Sequence, residues 1–301
     1  MNAPADLPAL VDRYLLRCAV EGKSPRTVRA YRETLGRFLT AVPIADPAAV
    51  RSEHIYAYLG RYTELTLETR HRYFREVRCF FNWLVEAGHI EHTPFRGMRN
   101  VRLPQRIVQP FSAQEVSRLL AARSADTPGS RRDCAMLLTL LDSGVRCSEL
   151  VQLRLDDLEL EAGRLRVLHG KGNKQRVVPF AGRCREALTR YLEQSGSAPG
   201  PLFVAVTGHG ALRHGVALQP NGLKQMLRRL ARTSGVSKVH AHRFRHTFAT
   251  WAIGHDAREL DVQYLLGHSS PDMVRRYSSS YRSEQAPLRH ARFSPADQTL
   301  A

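Results

Sequence analysis

The sequence lacks several features that would assign it to a familiar class of protein. Its five cysteines are scattered over 301 residues, with no C-x-x-C pair and no histidine at zinc-finger spacing, so neither a disulfide framework nor a zinc site is predicted. We expect reduced, mostly buried cysteines, although Cys147 is either a small helix residue or a reactive thiol beside Arg146. There is no long apolar run, basic amphipathic anchor or secretory leader, so no membrane association is expected and the predicted location is cytoplasmic.

Acidic residues are scarce relative to basic ones. The chain has 28 Asp plus Glu against 45 Lys plus Arg, which gives a formal net charge of +17. A field of this sign attracts polyanions, so nucleic acid is the expected partner. Neither a P-loop nor an acidic metal-binding cluster is present, so the sequence predicts neither ATP nor a metal as cofactor. Hydrophobic residues make up 43% of the chain, enough for two domains with a core each.

The first hundred residues predict helices only. Apolar residues recur at spacings of three and four in four segments, which are residues 8–21, 24–41, 51–62 and 67–87. Ser24 and Pro25 are typical of a helix start, and Gly88 is placed to end the fourth helix. We therefore predict a small helical bundle over residues 1–103.

Two of these helices carry rows of arginine with few acidic partners at helical spacing. Such a row is either a solvated cationic face or a set of phosphate contacts, and we favour phosphate because like charges on one face repel each other. Contacts of this kind fix position on a duplex and do not read bases. The predicted contacts are Arg26, Arg29 and Arg32 in the second helix and Arg70, Arg72 and Arg75 in the fourth.

Periodicity breaks at residues 104–111, which include Pro104 and Pro110, and we predict a linker there. Ser112 and Glu115 then fit a capping box that opens a second domain, residues 112–282. Strand patterns occur at 157–161, 164–168 and 175–180 and predict a three-stranded meander. The remaining segments predict helices, around 133–140, from 146 onward, and at 183–193, 221–234, 242–253, 259–266 and 272–280. The fold class is thus mainly α with a small antiparallel sheet, and the tail, 283–301, is either flexible or ordered by a neighbouring protomer.

The last third of the chain contains groups suited to phosphodiester chemistry. His242 and Arg245 are three residues apart on one predicted helix, so both side chains can approach the same phosphate. Arginine donates two parallel hydrogen bonds to phosphate oxygens and stays charged, and Arg146 supplies a second such clamp. Glu149 is expected to orient Arg146, although Asp142, Glu149, Asp156 and Asp157 can also be interpreted as metal ligands.

A tyrosine follows these basic groups and is the candidate nucleophile. Tyr277 lies nine residues beyond His268, which is placed in a tight corner between two predicted helices. A phenol with a pKa of about 10 needs cationic neighbours and a base, for which His242 is the best-placed candidate. Lys171, on a glycine-flanked turn, is the candidate general acid for the departing sugar hydroxyl. On geometry alone Tyr281, one helical turn later, is an equal alternative to Tyr277.

In this order, Arg146, Lys171, His242-x-x-Arg245, Leu-Gly-His268 and Tyr277 resemble the tyrosine recombinase (phage integrase) family in its Xer-type form. The resemblance covers nearly the whole chain and selects Tyr277 over Tyr281. It implies an N-terminal core-binding domain of SAM-like fold and an α+β catalytic domain, which together form a C-shaped clamp on DNA. Lys174 and Arg176, beside the Lys171 turn, are further predicted DNA contacts.

The resemblance also implies a mechanism and a set of partners. The implied intermediate is a covalent 3′-phosphotyrosine at Tyr277, formed with release of a 5′-hydroxyl and resolved by the 5′-hydroxyl of a partner strand. Because the phosphotyrosyl link stores the bond energy, no cofactor is implied. The implied partners are double-stranded DNA and a homotetramer in the synaptic complex, with a second recombinase or an accessory protein left open. Arg243 stands where the family more often has an apolar residue.

Two other functions compete with site-specific recombination. A type IB topoisomerase would use the same pocket to relax supercoils without strand exchange, and it is disfavoured because the N-terminal half resembles recombinases. A DNA-architecture protein would keep the fold without activity, and it is disfavoured because every expected catalytic position is filled. The recognition sequence and the biological role are not encoded in a form that one sequence reveals.

Overall fold

The structure, a computed structural model, describes residues 6–104, 108–123, 125–168, 175–195 and 199–267, together with Arg275, His290 and Ser294. Four predicted site residues lie outside the described residues: Lys171, Lys174, His268 and Tyr277. The same is true of nearly all of the predicted helix at 272–280 and of most of the tail. The chain divides into two compact units, Met1–Arg106 and Ile107–Ala301.

The N-terminal unit is a helical bundle, as predicted. Its α-helices are α1 (Leu7–Val20), α2 (Pro25–Ala41), α3 (Ser52–Gly60) and α4 (Leu67–Glu86), with a 3-10 turn at Pro47–Ala49. Side-chain caps define the starts of three helices, because Asp6, Ser24 and Thr66 each accept a hydrogen bond from a backbone N–H in the first turn. Gly88, with φ of 73°, follows the end of α4 in the left-handed conformation that favours glycine.

The core of this bundle is aromatic. Phe38, Tyr58, Phe80 and Phe81 are fully buried and meet mostly edge to face, with Phe38 and Tyr58 ring centroids 5.3 Å apart. Helices α1 and α4 supply most of the buried hydrophobic residues of this core, and α2 adds Leu35 and Phe38. The arginine rows of α2 and α4 lie outside this core.

The C-terminal unit combines helices with two small sheets. Its helices are α5 (Ala113–Ala121), α6 (Pro128–Ser143), α7 (Cys147–Gln152), α8 (Gly182–Ser195), α9 (Pro220–Ser234), α10 (Ala241–Gly254) and α11 (Glu259–Leu266). Strands β1 (Leu158–Glu159), β2 (Arg164–Val167) and β3 (Arg176–Pro179) form an antiparallel sheet in the order 1-2-3. The predicted meander and the predicted fold class are confirmed.

A second sheet was not predicted. Strands β4 (Val204–Val206) and β5 (Leu212–Ala217) form an antiparallel hairpin. The two ends of β5 are half-buried and the four residues between them are exposed, so its sequence has none of the apolar alternation that marks a half-buried strand. The prediction of a single strand region was wrong for this reason.

Helix ends in the C-terminal unit bring the candidate residues together. Helix α6 ends at Gly144, whose φ of 60° is left-handed, and α7 begins just after Arg146. A Cβ on Gly144 would lie 2.6 Å from the Phe248 ring and 2.7 Å from Leu266 Cδ2, so only glycine allows α10 and α11 to pack this closely. Phe111, at the end of the predicted linker, is buried in the core of this unit. None of the helices in the described ranges is long and apolar enough to cross a membrane.

Candidate active site

Three arginines from three elements converge on the C-terminal end of α11. The last carbonyl groups of a helix have no partner within the helix and carry partial negative charge. Three consecutive carbonyl oxygens each accept a hydrogen bond from a different arginine: Leu265 from Arg176 (2.7 Å), Leu266 from Arg245 (2.6 Å) and Gly267 from Arg146 (3.3 Å). The end of α11 thus gathers three guanidinium groups.

A buried carboxylate joins two of these arginines. Glu149 Oε1 accepts from Arg146 Nη1 (2.7 Å), and both oxygens accept from Arg176, at 3.0 and 2.8 Å. Burial alone would raise the pKa of Glu149, but hydrogen bonds from Arg176 and Arg146 outweigh it and lower the pKa to about 2. The carboxylate is therefore ionised at neutral pH. The expectation that Glu149 orients Arg146 is confirmed.

Arg245 is held from both sides in the interior. Its Nη1 donates to Gly144 O at 2.8 Å and its Nη2 to Leu266 O, so the guanidinium bridges the ends of α6 and α11. These bonds fix the plane of the guanidinium before any ligand arrives. Preorganised donors of this kind cost no reorganisation when charge develops on a bound group.

His242 lies one turn before Arg245 at the start of α10 and is in part accessible to solvent. Partial burial lowers its pKa, and the positive charges of Arg245 and Arg146 lower it further, with His240 adding to the effect. The imidazole is therefore neutral at pH 7 and can accept a proton. The structure thus brings together three predicted catalytic residues, Arg146, His242 and Arg245.

Arg176 was predicted to contact DNA, and its burial in the structure does not support that role. Its side chain is 4% exposed and pairs with Glu149. The cause is strand alternation, because β3 places Arg176 and Val178 inward and the residues between them outward. The arginine therefore belongs to the floor of the candidate site. The residues Arg-Val-Val-Pro at 176–179 do not alternate between polar and apolar, so the sequence did not show which of them face inward.

The arrangement is a cationic site without described metal ligands. Arg146 is the more accessible arginine, with 28% of its side chain exposed, and its contacts with described residues use two of its five N–H donors. Within the described ranges, no group of His, Cys, Asp and Glu residues could hold a metal ion. The site is thus suited to binding an anion such as a phosphodiester.

Comparison with known families assigns the chain. A model described as "Phage integrase family" matches residues 109–284, and one described as "Phage integrase, N-terminal SAM-like domain" matches residues 11–88. The chain belongs to the phage integrase family. The predicted tyrosine recombinase with a SAM-like N-terminal domain is therefore confirmed.

Relatives within the phage integrase family extend over most of the chain. The tyrosine recombinase XerD of Listeria innocua serovar 6a is 30% identical, covering 89% of this chain and 93% of the relative. The tyrosine recombinase XerC of Xylella fastidiosa is 31% identical, covering 86% and 88%. The family resemblance is thus not limited to the motif residues.

Solved structures of the family share the fold. The crystal structure of XerA recombinase matches with a TM-score of 0.51 and 25% identity, covering 93% of this chain and 98% of that one. A lambda integrase dimer bound to a COC′ core site matches with a TM-score of 0.72 and 20% identity, covering 90% and 95%. At that identity the second likeness concerns the fold alone.

Arg243, the departure from the family pattern, has a structural explanation. Its Nη2 donates to Glu115 Oε2 at 2.8 Å, and its guanidinium lies 4.0 Å from the centre of the Phe111 ring. It also donates to the carbonyls of Gln109, Pro110 and Ser237. Arg243 therefore fastens residues 109–115, the start of the C-terminal unit, to the helix that carries His242 and Arg245.

The neighbouring polar residues have structural roles in the described contacts. His240 Nδ1 accepts from Arg243 N at 3.2 Å and caps α10, and the buried His246 meets Thr250 Oγ1 at 3.0 Å. Asp142 accepts from Ala181 N, and Asp157 accepts from Arg154 N. The alternative interpretation of the acidic residues as metal ligands is therefore not supported.

The predicted phosphate contacts of the N-terminal unit are largely exposed. Arg26, Arg29, Arg32 and Arg75 are exposed, whereas Arg70 and Arg72 are half-buried. Within the described part of the chain, Arg26, Arg29 and Arg32 form no ion pair. Their role as DNA contacts remains a prediction.

One cationic surface was missed, and a second was predicted only in part. Helix α9 has no acidic residue and exposes four cations, Lys224, Arg228, Arg229 and Arg232. In the N-terminal unit, Arg61 and Tyr62 line a pocket of about 510 Å³ with Arg32 and Arg37 of α2. The α9 cations were visible as a helix without acidic partners, whereas Arg61 could be added only once α2 and α3 were placed side by side.

Proposed function

We propose that this chain is a site-specific recombinase of double-stranded DNA that cleaves and rejoins strands through a 3′-phosphotyrosine at Tyr277. The observation that carries the proposal is the cluster of Arg146 and Arg245 at the end of α11. Two guanidiniums anchored to backbone carbonyls are preorganised to hold the two non-bridging oxygens of one phosphodiester. The sequence places His268 directly after this end and Tyr277 nine residues later.

The proposed chemistry needs no external energy source. The Tyr277 phenol attacks the phosphorus, its proton passes to the neutral imidazole of His242, and the bond from phosphorus to the 5′ oxygen breaks. Lys171 donates a proton to that leaving oxygen. Arg146, Arg245 and His268 stabilise the charge on the non-bridging oxygens. A 5′-hydroxyl of a partner strand then attacks the phosphotyrosine, which restores the phenol and reseals the DNA.

The remaining cations would grip the DNA backbone. The exposed rows of α2 and α4 carry Arg26, Arg29, Arg32, Arg70, Arg72 and Arg75, and Lys174 is a further candidate. We add the α9 cations, together with Arg37 and Arg61, which line a pocket with Arg32. Each phosphate contact contributes to affinity through counterion release without reading sequence.

We further propose a homotetramer on two duplexes as the active assembly, in the cytoplasm where the DNA is. A lambda integrase tetramer bound to a Holliday junction matches this chain with a TM-score of 0.71 at 20% identity, and this likeness of fold supports the proposed assembly. Whether a second recombinase takes part can be tested by adding one to the same reaction. The tail, 283–301, is the proposed link between protomers.

The experiment first locates the site and then traps the intermediate. Footprinting on DNA flanking the gene identifies a bound sequence, which is then made as a nicked duplex that cannot religate. We expect a covalent protein–DNA adduct that is absent from Tyr277→Phe and retained by Tyr281→Phe. An adduct that persists in Tyr277→Phe would overturn the assignment of the nucleophile, and no adduct with wild-type protein would favour a DNA-architecture protein.

A second assay separates the two enzymatic alternatives. A plasmid carrying two copies of the bound sequence is incubated with the protein. Recombinant products identify a recombinase, whereas relaxation of supercoils without products identifies a topoisomerase.

A further inference from the structure

Arg176 is far more deeply buried than Arg146, its neighbour in the arginine cluster. Its side chain is 4% exposed, against 28% for Arg146. Its Nη1 and Nη2 form a two-point contact with Glu149, at 3.0 and 2.8 Å, and its Nε donates to Leu265 O. All three nitrogens of this guanidinium therefore contact protein groups, and two of them contact the carboxylate of Glu149.

The contact with Glu149 changes the charge balance of the site. A carboxylate paired only with Arg146 would cancel the charge that Arg146 offers to a phosphate. Glu149 instead shares its two oxygens between Arg146 and Arg176. With Arg245, the described cluster holds three positive groups and one negative group, so it keeps a positive surplus while Arg146 stays oriented.

The contact with Leu265 adds a mechanical role. Arg176 lies on β3, six residues after Gly170 in the sequence, and its Nε is bonded to the end of α11. A Cβ on Gly267 would lie 3.1 Å from Arg176 Nη1, so the two groups are in close contact. Arg176 thus ties the strand that follows Lys171 in the sequence to the helix end that precedes His268 in the sequence.

We propose that Arg176 is a positioning residue of the recombinase reaction, which offsets the charge of Glu149 and holds the end of α11 in place. The inference rests on the proposed function, because it assigns a role within that same site. If the proposal holds, Glu149 lowers the cleavage rate when Arg176 is absent, because its negative charge is then balanced by Arg146 alone. Removing the carboxylate as well should therefore restore part of the lost cleavage rate of folded protein, and the melting temperature distinguishes this from restored stability.

The test measures single-turnover adduct formation on the nicked duplex, with DNA affinity and melting temperature measured in parallel. Loss of one preorganised charge partner typically lowers such rates by about 10²-fold, and we expect this for Arg176→Met with little change in affinity. Adding Glu149→Gln to Arg176→Met should raise the rate by about tenfold. Arg176→Lys keeps the positive charge but loses the two-point contact with Glu149, so its cleavage rate should lie between those of wild type and Arg176→Met.

A matched control is another buried arginine outside the site. Arg132 pairs with Asp133 at 2.6 Å and donates to Val204 O, near the opposite end of α6. Arg132→Met should lower the melting temperature and leave the cleavage rate of folded protein near wild type.

The proposal is overturned if Arg176→Met cleaves at the wild-type rate, or if Arg176→Met with Glu149→Gln is no faster than Arg176→Met. If Arg176→Met does not fold, a wild-type rate in folded Arg176→Lys overturns it. Absence of any adduct with wild-type protein would instead count against the proposed function.

Discussion

The arginine row of α2 in the N-terminal unit and the arginines of the candidate site in the C-terminal unit are placed in opposite ways. In the N-terminal unit, Arg26, Arg29 and Arg32 point into solvent and form no ion pair with described residues. In the C-terminal unit, Arg176 and Arg245 are buried and anchored to carbonyls or to Glu149. Exposed arginines are free to follow a flexible polyanion, whereas buried ones are fixed for a single geometry.

This difference separates the grip on DNA from the chemistry. An exposed charge is screened by salt and acts mainly through counterion release, so its loss affects binding modestly. A buried, preorganised charge acts in a medium of low dielectric, where its loss affects the transition state strongly. Substitution of an exposed arginine should thus have a small effect on DNA binding, whereas substitution of a buried arginine should have a large effect on the cleavage rate.

The largest expected effect is on Arg245. Because its guanidinium is fixed by Gly144 O and Leu266 O, Arg245→Met should reduce adduct formation by about 10²- to 10³-fold, as when one oxyanion donor is removed. DNA affinity should change far less. Arg29→Met serves as the matched exposed control and should show the reverse pattern. Similar cleavage rates for the two variants would erase the distinction between the units.

The next effect concerns backbone geometry near the site. Gly144→Ala places a Cβ 2.6 Å from the Phe248 ring at positive φ, and we expect a loss of about 2 to 4 kcal/mol in unfolding free energy. Gly22, in the N-terminal unit, also has positive φ, but a Cβ added there would meet nothing within 4 Å. Gly22→Ala should therefore cost only about 1 kcal/mol. Urea denaturation of both variants measures the difference, and equal losses would contradict the packing argument.

The sequence predicted more of the N-terminal unit than of the candidate site. Caps such as Ser24 and Thr66 and the helical spacing of apolar residues are local signals, so the four helices were placed within about two residues. The spacing of Glu149 and Arg146, three residues apart, was also local and correctly interpreted. Local patterns thus carried these predictions.

Contacts between distant parts of the chain were not predictable in the same way. Arg176 meets Glu149 across 27 residues and Leu265 across 89, so nothing near Arg176 in the sequence distinguishes it from a surface cation. Arg243 contacts Gln109 across 134 residues. The sequence assigned Arg176 to the DNA-contacting surface and left Arg243 unexplained, because the partners of both arginines become neighbours only in the folded chain.

Arg243 gives the third prediction. Arg243→Met removes four hydrogen bonds to carbonyls and to Glu115, one of them an ion pair in a largely buried setting. We expect the C-terminal unit to lose about 2 to 3 kcal/mol of unfolding free energy. Arg232→Met, on the exposed face of α9, should leave the melting temperature nearly unchanged. A stable Arg243→Met would mean that residues 109–115 are held by other contacts, such as Phe111 N to Thr247 Oγ1 at 2.8 Å.

The fourth prediction concerns pH. Burial lowers the pKa of His242, and Arg245 and Arg146 lower it further from the ordinary value of 6.5. A base must be neutral to accept a proton, so cleavage should be maintained as pH falls to 6.5 and decline only below it. This decline at low pH should appear in the pH profile of kcat/KM, which reports the pKa values of the free enzyme. The decline should be absent from His242→Gln and present in His209→Gln, which changes an exposed histidine of the β4–β5 hairpin. A decline that begins above pH 6.5 would count against His242 as the base.

The smallest effects are expected from single exposed arginines. Arg26→Gln and Arg32→Gln should each weaken binding a few-fold and equally on all sequences, because phosphate contacts carry no base information. Each should also reduce the slope of log K against log salt by about 0.9, the contribution of one released counterion. Filter binding over a range of salt concentrations, on the footprinted duplex and on an unrelated one, measures both quantities. A variant that lost affinity only for the footprinted duplex would show that this arginine reads bases, and the grip of the N-terminal unit would then contribute to site choice.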